Sequence, residues 1–80
     1  MSYDGMKVFK YMSGAEPQFE VHGRYIHRVD DIGRPYYEIR DNYIYPYMAG
    51  TTPVFEIRGQ KLIHEYNKTK PALYEFRTYA

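Results

Sequence analysis

Short segments of this 80-residue chain repeat one another at a nearly constant spacing. Lys7-Val8-Phe9, Tyr25-Ile26-His27, Tyr43-Ile44-Tyr45 and Leu62-Ile63-His64 form one series. Phe19-Glu20-Val21-His22, Tyr37-Glu38-Ile39-Arg40, Phe55-Glu56-Ile57-Arg58 and Tyr74-Glu75-Phe76-Arg77 form the other. Within each series the copies lie 18, 18 and 19 residues apart, and one residue inserted between Gly59 and Ile63 accounts for both late offsets. Pro17, Pro35 and Pro53 keep the same phase, two positions ahead of the second element. Chance does not produce four such copies. A period of this length marks a supersecondary unit that cannot bury its apolar face alone and must share a core with its neighbours.

Each second element alternates aromatic, Glu, apolar, basic, the period of a strand with one buried face. Between it and the next first element stand Gly23-Arg24, Asp41-Asn42, or Gly59-Gln60 plus the inserted residue. Gly at the first central position predicts a type II′ hairpin, Asp-Asn a type I′ turn, and the longer third connection a three-residue turn with a bulge. Asp4-Gly5 sits one period before Gly23, as the remnant of the same hairpin. The connections at 30–35 and 48–53 carry Gly, end in Pro and read as loops between hairpins. The window 60–70 would place Leu62, Ile63 and Tyr66 on one helical face, but a strand accounts for the same residues better.

Three hairpins are therefore expected at 18–29, 36–47 and 54–66. That leaves segments 7–11 and 73–77 unpaired at the two ends of the chain. An open strand edge is a liability, so they are expected to clasp each other, with Val8 near Phe76, in preference to a linear stack of hairpins. The predicted fold is all-β: four antiparallel β-hairpin repeats of about 18 residues closed around a pseudo-four-fold axis as a single domain, 1–80. Val8, Val21, Ile26, Ile39, Ile44, Ile57, Ile63 and Phe76 should form the shared core, two from each unit.

The units, Ile-Tyr or Ile-His, a Gly-containing loop, Pro, aromatic-Glu-Ile-Arg and a Gly turn, resemble the four-fold beta-flower proteins of bacteria over roughly residues 5 to 77. Asp41 in place of a turn glycine and the extra residue near Lys61 depart from that pattern. The resemblance implies the same architecture and brings no activity, cofactor or catalytic residue with it.

Composition narrows the function classes. The chain has 11 Lys and Arg against 10 Asp and Glu, a net charge of +1, so nucleic acid and anionic membranes are not favoured partners. There is no cysteine, which excludes disulfides, thiolate metal sites and cysteine nucleophiles. No stretch approaches a membrane span, and no basic start leads into an apolar run; with the lack of cysteine, this favours the cytoplasm. No nucleophile elbow, phosphate loop, dinucleotide fingerprint or zinc-protease motif is present, so the chain reads as a non-enzyme without cofactor.

Three groups of residues remain as candidates. Glu20, Glu38, Glu56 and Glu75 each have a basic residue two positions on, His22, Arg40, Arg58 and Arg77, on the same strand face. They read either as a polar rosette for a ligand or, as the favoured alternative, as ion pairs that solvate one sheet face and set register. His27 and His64 occupy equivalent positions, and with a Glu they would make a mixed zinc site; the spacing fits no metal motif, and amphipathic filler is the better account. Eleven tyrosines, Tyr43 and Tyr45 among them, stand in for missing Leu and Phe, and those left outside suit a protein contact. The face carried forward comprises Glu20, His22, His27, Glu38, Arg40, Tyr43, Tyr45, Glu56, Arg58, Glu75 and Arg77. A self-associating interaction module, a homodimer or the binder of another protein, is the expected function. An aromatic surface for carbohydrate or single-stranded nucleic acid is the alternative.

Overall fold

A computed structural model describes residues 3–12, 16–49, 51–59 and 61–78. Eight strands, β1 (Lys7–Lys10), β2 (Phe19–His22), β3 (Tyr25–Arg28), β4 (Asp31–Arg40), β5 (Tyr43–Pro46), β6 (Phe55–Arg58), β7 (Leu62–Glu65) and β8 (Tyr74–Arg77), follow one another around a closed antiparallel barrel. No helix occurs among the described residues. The hairpins β2–β3, β4–β5 and β6–β7 carry the expected registers, Val21 opposite Ile26, Ile39 opposite Ile44 and Ile57 opposite Ile63. β1 and β8 close the wall, antiparallel, with Val8 opposite Phe76. A linear stack is thereby excluded.

Neighbouring hairpins are joined by four further ladders, in which Val8 faces Phe19, Ile26 faces Tyr37, Ile44 faces Phe55 and Ile63 faces Tyr74. One backbone bond recurs at each of these joints. The amides of Val21, Ile39, Ile57 and Phe76 donate to the carbonyls of Met6, Arg24, Asn42 and Lys61 over 2.7–2.9 Å. Tight turns occupy one end of the barrel, here the turn end, and the longer connections occupy the other, the loop end.

All eight expected core residues are buried, none more than 8% exposed. Two features complete the interior. At the turn end Tyr3, 6% exposed, folds beneath the barrel and stacks on Phe76 with centroids 4.2 Å apart. At the loop end Phe19, Tyr37, Phe55 and Tyr74 close a ring of edge-to-face contacts at 5.6–6.1 Å, the geometry aromatic quadrupoles prefer. Beneath the ring, Val8, Ile26, Ile44 and Ile63 complete the lining of an apolar void of about 10 Å³, at the lower limit for one water molecule. As in other small barrels, side chains fill the interior.

Two local expectations need correction. Asp41 has φ 55° but Asn42 is not in the positive-φ region, so the second turn is not type I′, which requires both. Asp41 instead matches Gly23 and Gly59, both at φ 65°, and tolerates the left-handed region as Asp can. The segment 30–35 is not simply a loop, because β4 extends back to Asp31. Its ladder with β3 jumps from His27–Pro35 to Arg28–Asp31, which leaves Ile32, Gly33 and Arg34 looped out as a bulge. Pro35, with no N–H to donate, is tolerated beside such an irregularity. In the third turn Arg58 and Leu62 pair around three residues, of which Gln60 lies outside the described residues.

Replacing Ile39 or Ile57 by Ala should cost about 2–5 kcal/mol, a large share of the stability of so small a domain, read from urea denaturation. Deleting residues 73–80 should abolish cooperative unfolding, since it reopens the barrel. A truncated chain that melts like the intact one would show that the closing ladder contributes nothing.

Candidate functional site

Alternation along each strand decides where the candidate side chains lie. With Val21, Ile39, Ile57 and Phe76 turned inward, the flanking Glu and basic residues point outward. The four glutamates thus stand on the outer wall of four different ladders, and they do not converge. Each is satisfied locally. Oε2 of Glu20 accepts from Nζ of Lys7 at 2.9 Å, and its Oε1 lies 3.0 Å from Nε2 of His22. Glu38 is held by Arg40 at 3.0 Å and Arg24 at 3.2 Å, Glu56 by Arg58 at 2.9 Å, and Glu75 by Arg77 at 2.6 Å.

Directly across the ladder from these glutamates stand His27, Tyr45, His64 and Phe9. The basic residue of the pair often covers that ring. The guanidinium of Arg40 lies 4.4 Å from the Tyr45 centroid and that of Arg77 4.3 Å from Phe9, whose ring is buried on the outer wall. His22 meets His27 edge to face at 4.9 Å. The β6–β7 hairpin differs: Arg58 also donates to the carbonyl of Lys68 at 2.8 Å, and the amide of Asn67 donates to Glu56 at 3.1 Å, so the β7–β8 connection lies over it. Cation–π contact and hydrogen bonding link each glutamate within its own hairpin, and Lys7–Glu20 and Arg24–Glu38 reach across to the neighbouring one.

His27 and His64 lie on β3 and β7, four strands apart around the barrel, and both point outward, so they cannot share a metal ion. Nδ1 of His27 is buried and has no hydrogen-bond partner among the described residues. Tyr43 meets Tyr66 edge to face at 5.9 Å.

The sequence reading missed two features. The axial ring of Phe19, Tyr37, Phe55 and Tyr74 was legible as an aromatic at the first position of every second element, two residues from a core position and so on the same face. The second feature is the loop end itself. Met12, Val29, Ile32, Tyr36, Tyr47, Met48, Val54 and Leu73 are exposed large apolar residues that lie in or beside the four longer connections; of those described, only Tyr43 lies elsewhere. Met12 and Met48 are 78% and 83% exposed, and each holds positive φ, 62° and 59°. Asn67 takes φ 59° at a matching corner, where Asn fits the left-handed region more readily than Met does.

Glu20 and Glu56 are held below the ordinary carboxylate range, Glu20 first by the hydrogen bond from Lys7 and Glu56 first by that from Arg58. A carboxyl whose folded-state pKa is depressed contributes its full stability above the unfolded-state pKa and loses it as pH falls through the folded one. Stability should therefore drop on acidification below the ordinary glutamate range. Glu20→Gln and Glu56→Gln should each lower Tm slightly at neutral pH and flatten its acid decline. An unchanged decline in both variants would mean that these pairs do not couple to folding.

No family model, curated protein or solved structure matches this chain.

Proposed function

We propose that this protein is a small non-catalytic interaction module that pairs with a second copy of itself through the loop end of its barrel. The observation that carries this reading is the gathering of exposed apolar side chains at that end, with Met12 and Met48 held out on left-handed corners. A non-glycine residue in that conformation costs about 1–2 kcal/mol, and exposing its apolar surface costs more. Strain of this kind concentrates at functional positions, and flexible Met side chains suit contact surfaces. The molecule measures 30 × 28 × 22 Å, and a face spanned by its two long extents offers roughly 650 Å², close to the area each partner buries in an ordinary interface.

The architecture behind this reading is four hairpin repeats about a pseudo-four-fold axis, as in the beta-flower proteins. The recurring bonds from Val21, Ile39, Ile57 and Phe76 to Met6, Arg24, Asn42 and Lys61 support it, as do the four similar edge-to-face contacts around the axial ring. The outer wall supports the non-catalytic part. Its carboxylates are engaged in ion pairs, and those of Glu20 and Glu56 are shifted away from the neutral pH at which a general acid would work. With the near-neutral charge, a cytoplasmic interaction module fits these features best.

Sedimentation over a concentration series tests the proposal. The mass should rise from 9.6 kDa toward twice that value across the micromolar range, and a Met12→Lys, Met48→Lys double variant should stay monomeric while remaining folded. A mass of 9.6 kDa that holds to high micromolar concentration would overturn it.

A further inference from the structure

The chain departs from its own pattern most strongly at β4, and the departure builds a hollow. Arg34, Pro35, Tyr36 and Tyr47 line a shallow, open hollow of about 380 Å³ beside the β3–β4 connection. Arg34 is the last of the three looped-out residues, and bulges commonly serve to re-aim a side chain at a site.

Each tyrosine ring has one neighbouring group. Arg28 lies 5.6 Å from the Tyr36 centroid and is itself fixed by Asp30 at 3.1 Å. Tyr47 rests edge-on against Tyr25 at 5.5 Å, and its amide donates to the Tyr36 carbonyl at 3.0 Å, tying the two residues together. Each tyrosine still leaves 37% of its surface exposed. Among the described residues, Arg24, Arg28, Arg40, Arg58 and Arg77 all form ion pairs with carboxylates, whereas Arg34 forms none. A free guanidinium fork matches the oxygens of a phosphate, and phenol rings offer stacking faces to flat or sugar rings.

We infer that this hollow binds a ligand joining a stackable base, a ribose and a phosphate, with the phosphate on Arg34 and the rings against Tyr36 and Tyr47. The inference goes beyond association through the loop end, and since Tyr36 and Tyr47 lie at that end too, its test uses the Met12→Lys, Met48→Lys variant, so that a second copy does not cover the hollow. A free mononucleotide and one unit of a single strand share this chemistry.

Amide chemical shifts of that labelled variant, titrated at low salt with uridine 5′-monophosphate, uridine, inorganic phosphate and a short oligouridine, test it. Uridine monophosphate should move the amides of Gly33, Arg34, Tyr36 and Tyr47, and uridine or phosphate alone should bind about tenfold more weakly or worse. Arg34→Ala should weaken the monophosphate about tenfold with the rest of the spectrum unchanged, and Tyr36→Leu should weaken uridine and monophosphate alike. Oligouridine binding well above the monophosphate identifies a strand as the source, and equal binding identifies the free nucleotide. No shift at about 10 mM monophosphate, shifts that map elsewhere, or an Arg34→Ala variant that binds as well as the parent would overturn the inference.

Discussion

The ladder between β1 and β8 is the contact on which the rest of the structure depends. Four residue pairs, from Lys7–Arg77 to Lys10–Tyr74, join the two ends of the chain and leave the eight-stranded wall without an edge. Without them each hairpin would expose a row of unpaired backbone groups and one side of a shallow apolar face. With them, strands of only four residues around most of the barrel are sufficient, because every inward side chain has neighbours on both sides. Tyr3 beneath and the aromatic ring above then seal a core that needs no cysteine and no helix.

Because the interior is filled, chemistry has to take place outside. The wall and the loop end solve different problems there. On the wall, carboxylates and bases satisfy one another locally, and exposed pairs of this kind contribute about 0–1 kcal/mol each. They give the barrel a solvated coat and a preference for register. At the loop end apolar side chains stand out in water with no such compensation. The asymmetry between the two surfaces separates a wall whose charges are satisfied locally from an end that leaves apolar side chains in water.

Much of the fold was legible in the sequence because β2, the end of β4, β6 and β8 each alternate aromatic, Glu, apolar, basic. Ile39, Ile57 and their equivalents sit between a Glu and a basic residue, so their burial followed from alternation alone. The closure followed from counting first and second elements. Tyr3 could not be read, since it lies ahead of the first repeat and is buried by a fold-back that leaves no periodic trace. The bulge at Ile32–Arg34 escaped for a related reason: Gly33 and Pro35 signal a loop equally well whether the backbone leaves the ladder entirely or rejoins it after three residues. Asp41 shows a third limit, because Asp-Asn is compatible with one positive φ or two. Of the candidate site, the Glu–Arg pairs were visible as an i, i+2 pattern. The apolar loop end was not, because exposure of Met12 and Met48 depends on where the neighbouring connections lie.

The order in which contacts can form follows from the same ladder. Each of the three hairpins joins residues that are close in sequence, and such hairpins form in about 1–10 μs. The contact between Val8 and Phe76 spans nearly the whole chain and bears the loop-closure entropy of everything between. During synthesis β1 emerges first and its partner β8 almost last, so β1 must wait with one edge open. Loop-closure entropy therefore falls most heavily on this one non-local ladder. Until it forms, the edges of β1 and β8 stay open to pairing with another chain.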